Sequence, residues 1–130
     1  MNKESQTQLA DVRAMLEKAT RLNDVGQHGT ALKQAYHAAE HVAAAYLFKI
    51  TGKSLPPNDA TFELFYETIQ EPERHPELLL RIEDVVGDVY VLREAYEPAL
   101  LDETTQEDAR QMIDNVLSFS TLVEKILSGF

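Results

Sequence analysis

Cysteine is missing from this 130-residue chain, and its absence removes several classes of function. Without cysteine there are no disulfides, no thiolate metal ligands and no thiol nucleophile, which agrees with a reducing compartment. Glycine is scarce, at five residues, and no Gly-rich run is available to cradle a phosphate. No Gly-x-Ser-x-Gly elbow occurs either, so that class of serine hydrolase is excluded. Positive charge is short as well: 12 Lys and Arg face 22 Asp and Glu, a formal charge of −10. Such a balance repels phosphate backbones at long range, so general nucleic-acid binding is disfavoured except at a local site. Long apolar runs are lacking too. The longest candidate, Val42 to Phe48, ends at Lys49 and falls far short of the ~20 residues of a membrane helix. The segment Met1 to Gln8 is polar and has no basic-then-apolar leader pattern, which predicts a cytoplasmic address.

What remains is an ordinary globular composition, 44% hydrophobic and 26% charged, at a length suited to one domain spanning 1–130. Apolar spacing of three and four residues recurs along the chain, and no stretch alternates with a period of two, so the expected class is all-α. A first helix is predicted from about Gln6 to Asn23, with Ser5 and Gln8 as a capping box and Leu9, Val12, Leu16 and Ala19 as its core stripe. Gly26 and Gly29 are expected to close it and open the next. That second helix, about Thr30 to Thr51, carries Leu32, Ala35, Tyr36, Ala39, Val42, Ala43, Tyr46, Leu47 and Ile50, a face broad enough for the centre of a core. Gly52 and Pro56-Pro57 interrupt it, and Asn58 or Asp59 caps a short third helix to about Ile69. A fourth helix is expected to open at Pro76 and stop at Pro98, with Leu78, Ile82, Val85, Val86, Val89, Leu92 and Tyr96 on its core side. Thr104 with Glu107 reads as the capping box of the last helix, whose inward residues would be Ala109, Met112, Ile113, Val116, Ser120, Val123 and Leu127. Short links between such helices favour an antiparallel up-and-down bundle of four long helices plus one short helix.

At ~100° per residue, His37, His41, Ala44 and Phe48 fall on the side of the second helix opposite its main stripe. A helix with apolar residues on two sides is usually buried on two sides. These four residues are therefore candidates for a homodimer interface, the alternative being that the third helix covers them through Phe62 and Phe65. His37, Glu40 and His41 also spell His-x-x-Glu-His, the inverted zinc-hydrolase pattern, in which two histidines a turn apart hold a metal. A third ligand and a larger mixed scaffold would be needed for that hydrolase, so His37 and His41 stand as weak metal candidates beside the plainer reading of interface residues. A di-metal carboxylate bundle would need Glu-x-x-His on two helices, which is absent; Glu63, Glu67, Glu83 and Glu94 fit solvated faces. Arg74 and Arg81 form a possible basic pair, but Glu71, Glu73, Glu77, Glu83 and Asp84 surround them and favour a salt-bridged surface. The five tyrosines sit mostly at core-facing spacing, against a base-stacking surface.

Three passages resemble the HEPN domain family, small helical bundles named for higher eukaryotes, prokaryotes and presumed nucleotide binding. Ala35-Tyr36-His37-Ala38-Ala39-Glu40-His41-Val42, with its apolar tail ending at Gly52, looks like that family's second helix. Arg93 followed by Tyr96-Glu97-Pro98 resembles its helix-ending Arg and Tyr-Pro region, and Thr104 to Ala109 leading into a long final helix is similar to its C-terminus. The resemblance covers the chain from about Arg21 onward. It implies a bundle that dimerises and, in paired bacterial toxin-antitoxin systems, a small nucleotidyltransferase as partner. Ribonuclease members carry an Arg followed four to six residues later by His. Here Arg93 is followed by Pro98, Ala99 and Leu100, and no histidine occurs after His75. The expectation is thus a non-catalytic module without a cofactor. One alternative is a divergent ribonuclease using Arg93 and Tyr96, although a phenol with a reference pKa of ~10 is a poor base near neutrality; for Arg93 the plainer role is an ion pair with Asp88, Glu94 or Glu97.

Overall fold

The computed structural model describes residues 3–70 and 103–128. Four helices carry these residues: α1 (Lys3–Asp24), α2 (His28–Thr51), α3 (Asp59–Ile69) and α4 (Gln106–Leu127), and no strand occurs among the described residues. The all-α class read from the spacing is therefore observed. The expected fourth helix after Pro76, with Arg74, Arg81, Arg93 and Tyr96, lies outside the described residues.

Helix α1 begins earlier than its expected cap. Lys3 is already helical, so Ser5 sits inside the first turns instead of capping them. Its end is a Schellman motif: Gln27 N donates to Leu22 O at 2.9 Å, Gly26 N donates to Asn23 O at 3.2 Å, and Gly26 takes φ +87°. Gly29, expected to punctuate the link, instead lies within α2. Only Val25 to Gln27 separate the two helices, a link so short that neighbours packed side by side must run antiparallel. Gly52 ends α2 in the left-handed conformation at φ +74°, its N–H donating to Phe48 O at 2.8 Å.

Asn58 caps α3 by accepting from Thr61 N at 3.0 Å, and Thr61 Oγ1 donates to Pro56 O at 2.6 Å, which fastens the connector to the helix it opens. At α4 the capping box is one residue later than Thr104 and Glu107. Thr105 Oγ1 accepts from Asp108 N at 3.1 Å, and Asp108 Oδ2 accepts from Thr105 N at 3.0 Å. Two overlapping Thr-x-x-acid pairs compete here, and the extended backbone falls at Thr105 (φ −90°, ψ 165°).

The core gathers around α2, which packs against each of the other three described helices; α1 also meets α4. All four expected stripe residues of α1 and all seven of α4 are buried, as are the expected residues of α2 except the partly exposed Ile50. Alanine makes this possible. Ala31, Ala35, Ala38, Ala39, Ala43, Ala44 and Ala45 are all buried, and their small side chains let neighbouring helices approach α2 from several directions. An aromatic run joins α3 to the rest. Phe62 meets Tyr36 at 6.2 Å between ring centroids, Phe65 meets Tyr46 edge-on at 5.2 Å, and Phe119 of α4 lies 5.3 Å from Phe65. Tyr36 Oη donates to Asp59 Oδ1 at 2.7 Å, adding a polar tie between α2 and the first turn of α3.

Candidate functional site

Helix α2 is the element on which the sequence concentrates chemistry, and its outward stripe is built by its own pitch. His37 is exposed, His41 and Phe48 are partly exposed, and Ala44 between them is buried at 2% exposure by the chain's own packing. The remaining open stripe is thus His37, His41 and Phe48. Phe62 and Phe65, which could have covered it, turn instead to Tyr36 and Tyr46 on the opposite side of the helix. Helix α1 flanks the stripe, reaching His41 through Gln8.

Each histidine is oriented by one acceptor. His37 Nδ1 lies 2.8 Å from Glu40 Oε1, and His41 Nδ1 lies 2.8 Å from Gln8 Oε1. Because both partners accept, both Nδ1 atoms donate, which leaves Nε2 as the ring atom with a lone pair in each neutral imidazole. The two rings meet edge-on, 4.9 Å between centroids. Burial lowers the pKa of His41 below the ordinary imidazole value, the neighbouring His37 lowers it further, and Asp11 acts in the opposite sense. Glu40 itself is 7% exposed and holds its carboxylate against His37.

That arrangement bears on the His-x-x-Glu-His motif. In the hydrolase pattern the intervening acid must face a metal-bound water as a base, whereas Glu40 Oε1 is engaged by the Nδ1–H of His37 and orients that ring. No group of three or more His, Cys, Asp or Glu side chains able to hold a metal ion occurs among the described residues. Nor is any helix there long and apolar enough to cross a membrane. Arg93 and Tyr96 lie outside the described residues.

A second polar centre was not expected from the motifs. Asn23, 5% exposed, donates from Nδ2 to Gln106 O at 3.0 Å and accepts through Oδ1 from His28 Nδ1 at 2.6 Å. One side chain near the end of α1 thereby joins the starts of α2 and α4. Its signal in the sequence is positional: Asn23 continues the Leu9, Val12, Leu16, Ala19 stripe, where a polar residue needs a partner. Nearby, between α1 and α4, lies an open cleft of about 370 Å³, floored by Leu16 and Ile113 and edged by Leu117, which is 48% exposed. Arg13 closes one side with a pair of hydrogen bonds to Glu124, at 2.9 and 2.7 Å. The cleft holds no nucleophile–base pair, and its cation is already matched by a carboxylate.

Compared with protein-family models, curated proteins and solved structures, the chain matches none of them.

Proposed function

We propose that this protein is a non-catalytic, cytoplasmic HEPN-like module that works as a homodimer, each subunit an up-and-down bundle of four long helices and one short one. The observation that carries the reading is the outward stripe of α2. This helix packs against every other described helix, and yet a phenyl group and two imidazoles, Phe48, His37 and His41, stay at least partly open along it. A second copy presenting the same stripe about a two-fold axis would bury all three, the phenyl at the centre of the contact and the imidazoles as polar partners.

The wider role follows from the resemblance. A HEPN-like bundle of this size pairs with a small nucleotidyltransferase in a toxin-antitoxin type system, and the formal charge of −10 suits a basic protein surface better than a nucleic acid. The incomplete Arg–His motif at Arg93 supports a non-catalytic interaction role in preference to RNA cleavage.

Light scattering on wild type and on Phe48→Asp tests the reading. A dimeric wild type that the substitution converts to a folded monomer is the expected outcome, because two carboxylates would be forced into an apolar contact. A monomeric wild type at high concentration, or a dimer indifferent to the substitution, would sink it.

A further inference from the structure

Two histidines a turn apart, each with its Nδ1–H already committed, have the makings of a metal site on the stripe that the proposed dimer would cover. We propose that His37 and His41 together bind a borderline divalent transition-metal ion of the Zn²⁺, Ni²⁺ or Cu²⁺ class, through Nε2 of each ring, with water filling the other positions.

Geometry is the first support. A metal–nitrogen bond of about 2.0–2.1 Å puts each ring centre roughly 3.2 Å from the ion, so ligand angles of about 90–109° require centroids roughly 4.5–5.2 Å apart. The ring centroids are 4.9 Å apart, inside that range, with the ring planes at 81°, so bringing both Nε2 atoms onto one ion asks for a ring rotation and no approach of the backbone. The hydrogen bonds are the second support. Histidine ligands are typically held by donating the other ring N–H to a carboxylate or carbonyl, which sets the tautomer and raises basicity. His37 does this to Glu40 Oε1 and His41 to the amide oxygen of Gln8, each at 2.8 Å. Access is the third, since His37 is exposed while Glu40 beneath it is buried, leaving an anionic support under a ring open to solvent.

Glu40, displaced from the role of base, becomes the group that orients His37. Both ligands of the site belong to a single chain, which binds the ion when this stripe is open. With two protein ligands the affinity order should follow intrinsic preference, Cu²⁺ above Ni²⁺ and Zn²⁺.

Isothermal titration of the full chain with each ion, at pH 7.5 in a weakly coordinating buffer, tests the proposal. Expected are about one ion per chain for wild type, at least a tenfold loss of affinity in His37→Ala and in His41→Ala, and a smaller weakening in Glu40→Gln. Circular dichroism checks each fold, and His37→Ala, at an exposed position, keeps the test decisive if a change at His41 disturbs packing. Because the proposed dimer would cover the same stripe, the titration is repeated on Phe48→Asp: an ion bound by that variant and excluded from a dimeric wild type still reports the site. Undetectable binding at millimolar ion by both chains, or equal binding by the double variant lacking both imidazoles, would overturn the proposal whatever mass light scattering finds.

Discussion

Replacing Asn23 separates two accounts of why the α1 stripe ends in a polar residue. If the position merely filled space, leucine would be at least as good as asparagine: it adds buried apolar area and favours the helix by a few tenths of a kcal/mol. If Asn23 locks three helix ends, both Asn23→Ala and Asn23→Leu destabilise. Two hydrogen bonds are lost, to Gln106 O and from His28 Nδ1, each contributing ~0.5–1.5 kcal/mol net, so the total is about 1–3 kcal/mol. With an unfolding entropy of about 2.1 cal/mol/K per residue, a chain of this length would melt about 4–11 °C lower. Asn23→Asp keeps the acceptor for His28 but turns an oxygen toward Gln106 O, and should fall between wild type and alanine. A double-mutant cycle with His28→Ala should show a coupling of about 1 kcal/mol. The assay is urea and thermal unfolding by circular dichroism at one protein concentration, since association would add its own term. An Asn23→Leu chain as stable as wild type, or more so, would refute the lock.

Thr105→Ala removes the hydroxyl that accepts from Asp108 N and should cost about 1 kcal/mol in urea unfolding, whereas Thr104→Ala should cost much less. Gly52→Ala should cost ~1 kcal/mol by strain alone: the position has φ +74° with nothing within 4 Å of the added methyl, so Gly52→Asn should recover part of the loss in the same assay. His41, with a folded pKa below the unfolded one, takes up its proton more readily on unfolding; stability is full above the unfolded value near ~6.5 and falls as pH drops through it toward the lowered folded value. Urea midpoints at pH 7.5 and 5.5 should diverge more in wild type than in His41→Asn. RNA incubated with the purified protein should stay intact, and any cleavage abolished by Arg93→Ala would restore the ribonuclease reading.

The helices were legible because burial imposes a period, and the period survives in single residues: Leu9, Val12, Leu16 and Ala19 could lie on one side of α1 only if that side faced a core. Helix ends are set by local competition instead, and there the reading slipped. Thr104 and Thr105 each precede an acid by three residues, and what separates them is which backbone turns extended, a property of the incoming chain and not of either pair. Ser5 had the right neighbours for a cap, but nothing in a four-residue pattern stops a helix from starting a turn earlier. The candidate site divides along the same line. That His37 and His41 share a face is arithmetic on the pitch of α2. That their Nδ1 atoms are held by Glu40 and by Gln8, 33 positions away in sequence, depends on how α1 lies against α2, which no spacing rule encodes. Asn23 stood at an interpretable place all along, at the end of an apolar stripe where a polar side chain must find partners, and its two partners come from elements five and 83 residues further on. A polar residue on an apolar stripe therefore marks a junction even when its partners cannot be named from the sequence, and the same argument makes Glu40, buried in the apolar stretch of α2, the residue whose replacement most directly reports on how the two histidines are held.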